Sequence, residues 1–340
     1  MTDLSRRVLD RAQAGALRSL YIEPWGPFPY EAHRALVDAL AAYGVAKMVT
    51  VSYKQMTDRD IARVSRQIRE EIEQFQPDLV IIGYTGDMLE VGELYAIRET
   101  CPSTFLVDYI ADASIFNEKL YTLCQACHLT VVASPSYFPA LATRGIAAGS
   151  WPGWTQHQYL EVKRELTEDS PDVVFIGSLY FDDSFSGVPF RREVVQAMAA
   201  SGLRFDLYGP GWERAGVASK GSTFGQYARN AARYANTKIG LSVDNVRDKY
   251  CCCSDRPYNI AATGCMCLTN SFPGMGWNGW VDGENCAVFD TIPEMLDKAR
   301  YYLDHDEERE RIAQAGREMV HKRHVWPARI EALWAMMEGL

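Results

Sequence analysis

From Leu17 onward the chain alternates short apolar runs with segments whose apolar residues recur at helical spacing, and that rhythm leaves few folds open. Strands are expected over Leu17–Tyr21, Lys47–Val51, Leu79–Gly83, Thr104–Val107 and Leu129–Ala133. Helices are expected between them over Tyr30–Tyr43, Asp58–Gln74, Leu89–Glu99 and Phe116–Cys127. Such alternation specifies an α/β fold with a parallel sheet covered by helices on both faces, since parallel neighbours need a long crossover. Ligands on such sheets bind beyond the strand C-termini. In this half those ends are Glu23–Pro27, Tyr84–Asp87 and Asp108–Asp112.

The rhythm breaks at Ser150-Trp151-Pro152-Gly153-Trp154 and in the polar run that follows to Ser170-Pro171. It restarts at Asp172-Val173-Val174-Phe175-Ile176-Gly177-Ser178, an apolar strand whose Gly-Ser end allows close backbone approach to a phosphate. The chain should therefore hold two Rossmann-like domains, 1–150 and 172–325, with 151–171 as the crossing and 326–340 as a terminal helix. Strands over Phe205–Tyr208 and Ile239–Val243 and a helix over Tyr227–Asn236 continue the second domain. No G-x-G-x-x-G occurs, which removes the main sign of a nicotinamide or flavin site.

Composition narrows the function. The 340 residues are 47% hydrophobic and carry a net charge of -9, which disfavours broad attachment to nucleic acid or an anionic membrane. No apolar run is long enough for a membrane span and Met1–Gly15 lacks the core of a signal peptide, so the expected location is cytoplasmic. The nine cysteines then read as reduced thiols. Cys124-Gln125-Ala126-Cys127-His128 matches a haem-attachment pattern and Cys251-Cys252-Cys253 could suggest zinc, but each is more simply read as ordinary helix-end or loop sequence. No metal site is expected.

The second domain turns on residues 251–290. Ser254 and Asp255 are N-cap types, Pro257 suits a first helical turn and Gly264 a stop, so a helix begins near Arg256 and a buried strand, Met266–Thr269, follows. A helix start with an arginine beside it can hold a diphosphate. Tyr250 or Tyr258 is available to stack on a base or to pack in the core.

Arg256, Asn259, Ala261, Ala262, Gly264, Asp282, Gly283, Asn285 and Phe289 resemble the C-terminal half of GT-B glycosyltransferases, in particular the spore-maturation-protein-like (CgeB-like) group. The likeness extends to Phe175-Ile176-Gly177-Ser178, to Arg191 or Arg192 opening a helix, to Leu207-Tyr208-Gly209-Pro210-Gly211-Trp212, and to the ending His324–Arg329. The resemblance implies two Rossmann-like domains with a cleft between them and a last helix, with Ile330, Leu333, Trp334 and Met337 on one face, crossing back to the first domain. It implies transfer of a sugar from a nucleotide-diphosphate sugar, such as a UDP-sugar, to an acceptor hydroxyl. On that reading Gly177, Ser178, Arg191, Tyr208, Ser254, Arg256, Tyr258, Asn259 and Gly264 bind the donor, and no cofactor is needed besides the nucleotide sugar. The family usually has Glu where this chain has Asn259, and related retaining enzymes have another Glu eight residues earlier, at Cys251. Asn259 keeps hydrogen-bonding capacity but brings no charge.

Asp108 and Asp112 are the leading acceptor-side carboxylates, the plainer reading being a cap and a solvated loop residue. Two D-x-D triplets, Asp58-Arg59-Asp60 and Asp304-His305-Asp306, follow no strand, which argues for transfer without metal. The acceptor is not identified by the sequence; nucleic acid enters only as a substrate, through enzymes of this group that act on modified DNA bases. A catalytically silent nucleotide-sugar-binding module is the competing reading, and a nucleotide-sugar epimerase on the same architecture a third.

Overall fold

The computed structural model describes residues 1–23, 31–50, 58–83, 89–111, 117–179, 185–223 and 225–340, and for 31–33, 58 and 59 the backbone only. Asp112, Tyr84–Asp87 and the residues after Glu23 in the first strand-end loop lie outside them. The chain divides into two compact units, one of Met1–Trp151 with Trp326–Leu340, the other of Pro152–Val325.

In the first unit strands β1 (Leu17–Glu23), β2 (Gly44–Thr50), β3 (Leu79–Gly83), β4 (Phe105–Ile110), β5 (Leu129–Val132) and β6 (Ala148–Ser150) form a parallel sheet in the order β2-β1-β3-β4-β5-β6. The helices are α1 (Asp3–Gln13), α2 (Glu31–Ala41), α3 (Asp58–Phe75), α4 (Val91–Thr100), α5 (Glu118–Ala126) and α6 (Phe138–Ala142). Central strands β3 and β4 are buried along their whole length, whereas edge strand β2 alternates toward solvent, as a sheet covered on both faces requires.

α13 (Trp326–Glu338) completes this unit by packing on α1 and α2. Ile330, Leu333 and Met337 are buried, and Trp326 meets Trp151 and Tyr109 edge-on at ring-centroid distances of 5.9 and 6.2 Å. Trp334 is only half-buried and packs edge-on against Tyr43 at 5.3 Å. Gly149 lies where this helix passes, and a Cβ there would stand 2.3 Å from the Met336 sulfur unless that side chain moved.

The second unit continues with α7 (His157–Glu161), β7 (Val173–Ile176), α8 (Val188–Ala199), β8 (Phe205–Tyr208), α9 (Tyr227–Ala235), β9 (Ile239–Ser242), α10 (Arg256–Ala262), β10 (Met266–Asn270), β11 (Ala287–Phe289), α11 (Ile292–Asp304) and α12 (Asp306–Arg323). Its strands are parallel in the order β11-β10-β9-β7-β8, so the winding reverses between β7 and β9. Alternate residues feed two cores. Phe175, Leu207, Leu241 and Leu268 pack on one face, Val174, Ile176, Ile260 and Cys267 on the other.

Two expectations need correction. Residues 152–171, expected as a linker, are packed into the second unit: Trp154, Thr155 and Tyr159 are buried, and Thr155 donates its backbone N–H to the His324 carbonyl at 2.9 Å. Gly153 lies so close to the Tyr258 ring that a Cβ would be 2.1 Å from it. The apolar bodies of Trp154 and Tyr159 outweigh the local Pro and Gly. Trp151 is likewise buried in the first unit's aromatic cluster.

The second concerns Asp108, which does not follow the fourth strand but lies inside it, paired in register with Ile82 and Thr130. It shares the α5 face of the sheet with Leu106 and Ile110. There Oδ2 accepts a weak hydrogen bond from the Cys124 thiol at 3.5 Å and Oδ1 has no partner among the described residues. Cys124, Cys127 and His128 hold no common ligand position: His128 Nδ1 accepts from the Leu106 N–H at 2.9 Å and its ring stacks on Phe105. None of the nine cysteines forms a disulfide. No helix among the described residues is long and apolar enough to cross a membrane.

Burial pushes the Asp108 carboxyl up to about 7, opposed by the Cys124 hydrogen bond. A carboxyl raised in the folded state contributes its full stability below the unfolded value near 4 and loses it as pH rises through about 7. Ionised Asp108 thus costs the fold on the order of 4 kcal/mol at pH 8, from about 1.4 kcal/mol per pKa unit. Asp108→Asn should stabilise the protein, with a gain that grows by about 2 to 3 kcal/mol between pH 5 and pH 8 in urea unfolding. A gain independent of pH would contradict the buried-carboxyl account.

Candidate functional site

The reversal between β7 and β9 is where a doubly wound sheet opens a crevice at its C-terminal edge. Two arginines converge there. Arg191, on α8, donates Nη1 to the Val243 carbonyl at 3.0 Å and Nη2 to the Ser178 carbonyl at 2.6 Å. Arg256, the first residue of α10, donates Nε to Ile176 O at 2.8 Å and Nη1 to Val243 O at 3.1 Å and Ser254 Oγ at 3.2 Å. Both guanidinium planes lie over Phe175, at 4.9 and 5.0 Å from its ring centre.

Gly177 is a glycine for a steric reason: a Cβ would stand 2.6 Å from Arg191 Nη2 and 2.7 Å from Arg256 Nη2. Its backbone is held by a hydrogen bond to Tyr208 O at 2.9 Å and one from Trp212 Nε1 at 2.7 Å. Two neighbouring cations inside a protein need counter-charge. Asp244, just past β9, supplies one carboxylate, 3.7 Å from Arg256 Nη1 and 2% exposed. Its Oδ1 accepts from Ser254 N–H at 3.1 Å and Ser254 Oγ at 2.6 Å, while Oδ2 has no partner among the described residues. Arg256 Nη2 makes no hydrogen bond among the described residues, so one donor group and one acceptor oxygen stand ready at the crevice.

Gly177, Ser178, Arg191, Ser254 and Arg256, expected together from the sequence, are brought together here. The others are not. Tyr258 is fully buried between His324, at 4.5 Å, and Trp280, at 5.2 Å, so it packs in the core rather than stacking on a base. Gly264, with φ +77°, ends α10; it lies a seven-residue helix, about 10 Å, from Arg256. Tyr208 faces away toward α9, its hydroxyl on Asp206 at 3.3 Å and the Arg233 guanidinium 3.8 Å over its ring.

Asn259 also turns inward. Its Oδ1 accepts from Thr155 Oγ1 at 3.0 Å and its Nδ2 donates to Asp255 Oδ2 at 2.9 Å. Cys251, where related enzymes carry the earlier Glu, is buried and donates its thiol to Gly274 O at 3.2 Å. Neither expected N-cap residue caps α10: Ser254 binds Asp244, and Asp255 makes no side-chain bond to the helix backbone. The Asp-Gly-x-Asn stretch builds a turn, with Asp282 Oδ1 accepting from Val288 N–H and Asn285 Oδ1 from Val281 N–H. Asp306 of the second D-x-D triplet pairs with Arg309.

Sequence reasoning undervalued Asp244 and Phe175. A carboxylate immediately after an apolar strand and an aromatic residue inside "VVFIGS" were the available signals.

Residues 191–335 match the family model described as glycosyl transferase-like. No curated protein matches the chain by sequence. Among solved structures, Anabaena Alr3699/HepE in complex with UDP and glucose is similar at 11% identity, with a TM-score of 0.62 over 95% of this chain and 100% of that one. A glycosyltransferase from Rickettsia africae is similar at 10% identity, TM-score 0.67, over 94% and 98% of the two chains. Sucrose-phosphate synthase from Thermosynechococcus elongatus is similar at 13% identity, TM-score 0.64, over 95% and 99%. The chain thus has the two-domain Rossmann-like fold of GT-B glycosyltransferases, and its second half carries a glycosyl transferase-like domain.

Proposed function

We propose that the chain moves a sugar from a nucleotide-diphosphate sugar to an acceptor hydroxyl without a metal ion, as a member of the spore-maturation-protein-like group. The observation that carries this reading is Arg256: three hydrogen bonds fix its guanidinium at the β7–β9 switch point and leave Nη2 uncommitted above the Gly177 turn. As the anomeric carbon leaves the diphosphate oxygen, negative charge grows on the leaving group. A cation already oriented stabilises that charge with no reorganisation, by about 1.5 to 3 kcal/mol for a charged hydrogen bond. Asp244 Oδ2 offers an acceptor for a donor hydroxyl. UDP is the first nucleotide to test, because HepE is seen with UDP and glucose.

Asp108 sits under α5 and has no place in this scheme; Asp112 stays the proposed acceptor-side base. The setting proposed is cytoplasmic, where thiols stay reduced. The acceptor is a hydroxyl compound, with a modified DNA base among the candidates. A silent binding module is favoured by one observation: Cys251 and Asn259, at the two Glu positions of related retaining enzymes, are both committed to internal contacts. The fold alone does not decide between these readings.

Arg256→Lys should weaken UDP binding between about tenfold and a hundredfold in calorimetry, since an ammonium cannot hold two carbonyls and face a phosphate together. Unchanged affinity in a variant that still melts cooperatively would remove Arg256 from the donor site. Hydrolysis or transfer of UDP-sugars should proceed at the same rate with EDTA present. Loss of turnover on chelation would overturn the metal-free scheme, and tight binding without turnover would favour the silent module.

A further inference from the structure

A pocket of about 520 Å³ in the second unit is lined by Ser186, Arg247, Asp248, Ser271, Phe272 and Pro273. Ser186 precedes α8, Arg247 and Asp248 follow β9, and Ser271 follows β10, so the pocket stands along the same C-terminal edge as the arginine pair. Its volume suits a small ligand.

Arg247 is held in place yet unsatisfied. Its backbone N–H donates to Ser186 Oγ at 3.3 Å, and its guanidinium lies 3.8 Å over the Phe190 ring. Among the described residues no hydrogen bond or ion pair engages that guanidinium, and its Nε is buried without a partner. Burial pulls the group below the ordinary arginine value, with Asp290 and Asp244 acting against that only as nearby charges. Arginine cannot relieve this by losing its proton, so a positioned fork of donors is left without an acceptor.

The rest of the lining differs in kind. Asp248 accepts from Ser186 Oγ at 2.7 Å, which holds its carboxyl below the usual range, and its remaining lone pairs are acceptors for hydroxyls. Ser271 hydrogen-bonds Asp290, and Phe272 with Pro273 supplies an apolar wall. Asp248 beside Arg247 disfavours a dianion such as phosphate more than a single negative charge. A planar monovalent carboxylate matches the guanidinium fork, and a ring bearing hydroxyls matches the carboxylate, the serines and the apolar wall.

We propose that this pocket receives the sugar ring of the donor and that the ring carries a carboxylate, bound by Arg247, while its hydroxyls meet Asp248. This rests on the nucleotide-sugar reading above and adds the class of sugar. Loop 244–248 joins the two places: Asp244 faces Arg256 at its start, and Arg247 and Asp248 face the pocket at its end.

The test is calorimetry on the full chain with UDP, UDP-glucose and UDP-glucuronic acid, for the wild type and Arg247→Met, which keeps an apolar contact on Phe190. The wild type should bind UDP-glucuronic acid at least about tenfold more tightly than UDP-glucose, as one charged hydrogen-bond pair supplies. Arg247→Met should bind the two alike and bind UDP as the wild type does. Should that variant not fold, Arg247→Lys, which keeps the charge without the fork, should reduce the preference severalfold. Equal affinities in the wild type, or a preference that survives in the variants, overturn the inference while leaving the donor site in place. Failure of the wild type to bind UDP at all overturns the donor-site reading and this inference with it.

Discussion

The carbonyl of Val243 accepts a hydrogen bond from each of two guanidinium groups, one from α8 and one from α10. That shared oxygen ties together the parts of the second unit that the backbone ladder leaves apart. β7 and β9 pair in register only through Val173 and Val174, well before their C-terminal ends. Beyond that point Arg256 spans them by binding Ile176 O and Val243 O. The same residue that closes the sheet edge therefore presents a donor to the crevice that the edge creates. Phe175 beneath both arginines, Asp244 beside them and the missing side chain at Gly177 are what allow two cations to occupy one place.

Around this centre the loop from Asp244 to Asp255 is fixed by internal bonds. Asp244 holds Ser254 twice, Cys251 is tied to Pro273 and Gly274, and Asp255 holds Asn259, which in turn holds Thr155. Residues 152–171 are part of that support, which explains why they pack instead of spanning open space. Cys251 and Asn259 are here used to bind the loop to its own unit. Arg256 Nη2, Asp244 Oδ2 and Arg247 Nε are then left without a hydrogen-bond partner among the described residues.

The first unit shows the opposite use of polarity. Asp108 is surrounded by Leu106, Ile110 and Cys124 and raised to about 7, so it is a group whose charge the core resists. On the other face of the sheet Tyr109, Trp151 and Trp326 interlock, and α13 is fastened to its unit through aromatic area rather than charge.

Much of this could be read in the sequence. Parallel strands buried on both faces must appear as short apolar runs, and their crossovers must appear as helical periods, so element order, sheet class and the β7 and α10 ends of the site followed from local pattern. The Arg-Pro pair after Ser-Asp located Arg256 for the same reason. What local pattern could not supply was direction. Asp108 looked like a strand-end carboxylate until register with Ile82 and Thr130, residues distant in the chain, carried the strand three places further and turned the side chain under α5. Tyr258 and Asn259 share one short helix with Arg256, and Gly264 ends it, yet three-dimensional packing put only Arg256 at the crevice. Arg247 gave no sequence signal, because a guanidinium without a partner is recognisable only once every neighbour has been placed. Pattern along the chain sets which elements form; which way each side chain faces depends on contacts between elements, and those exist only in the folded molecule.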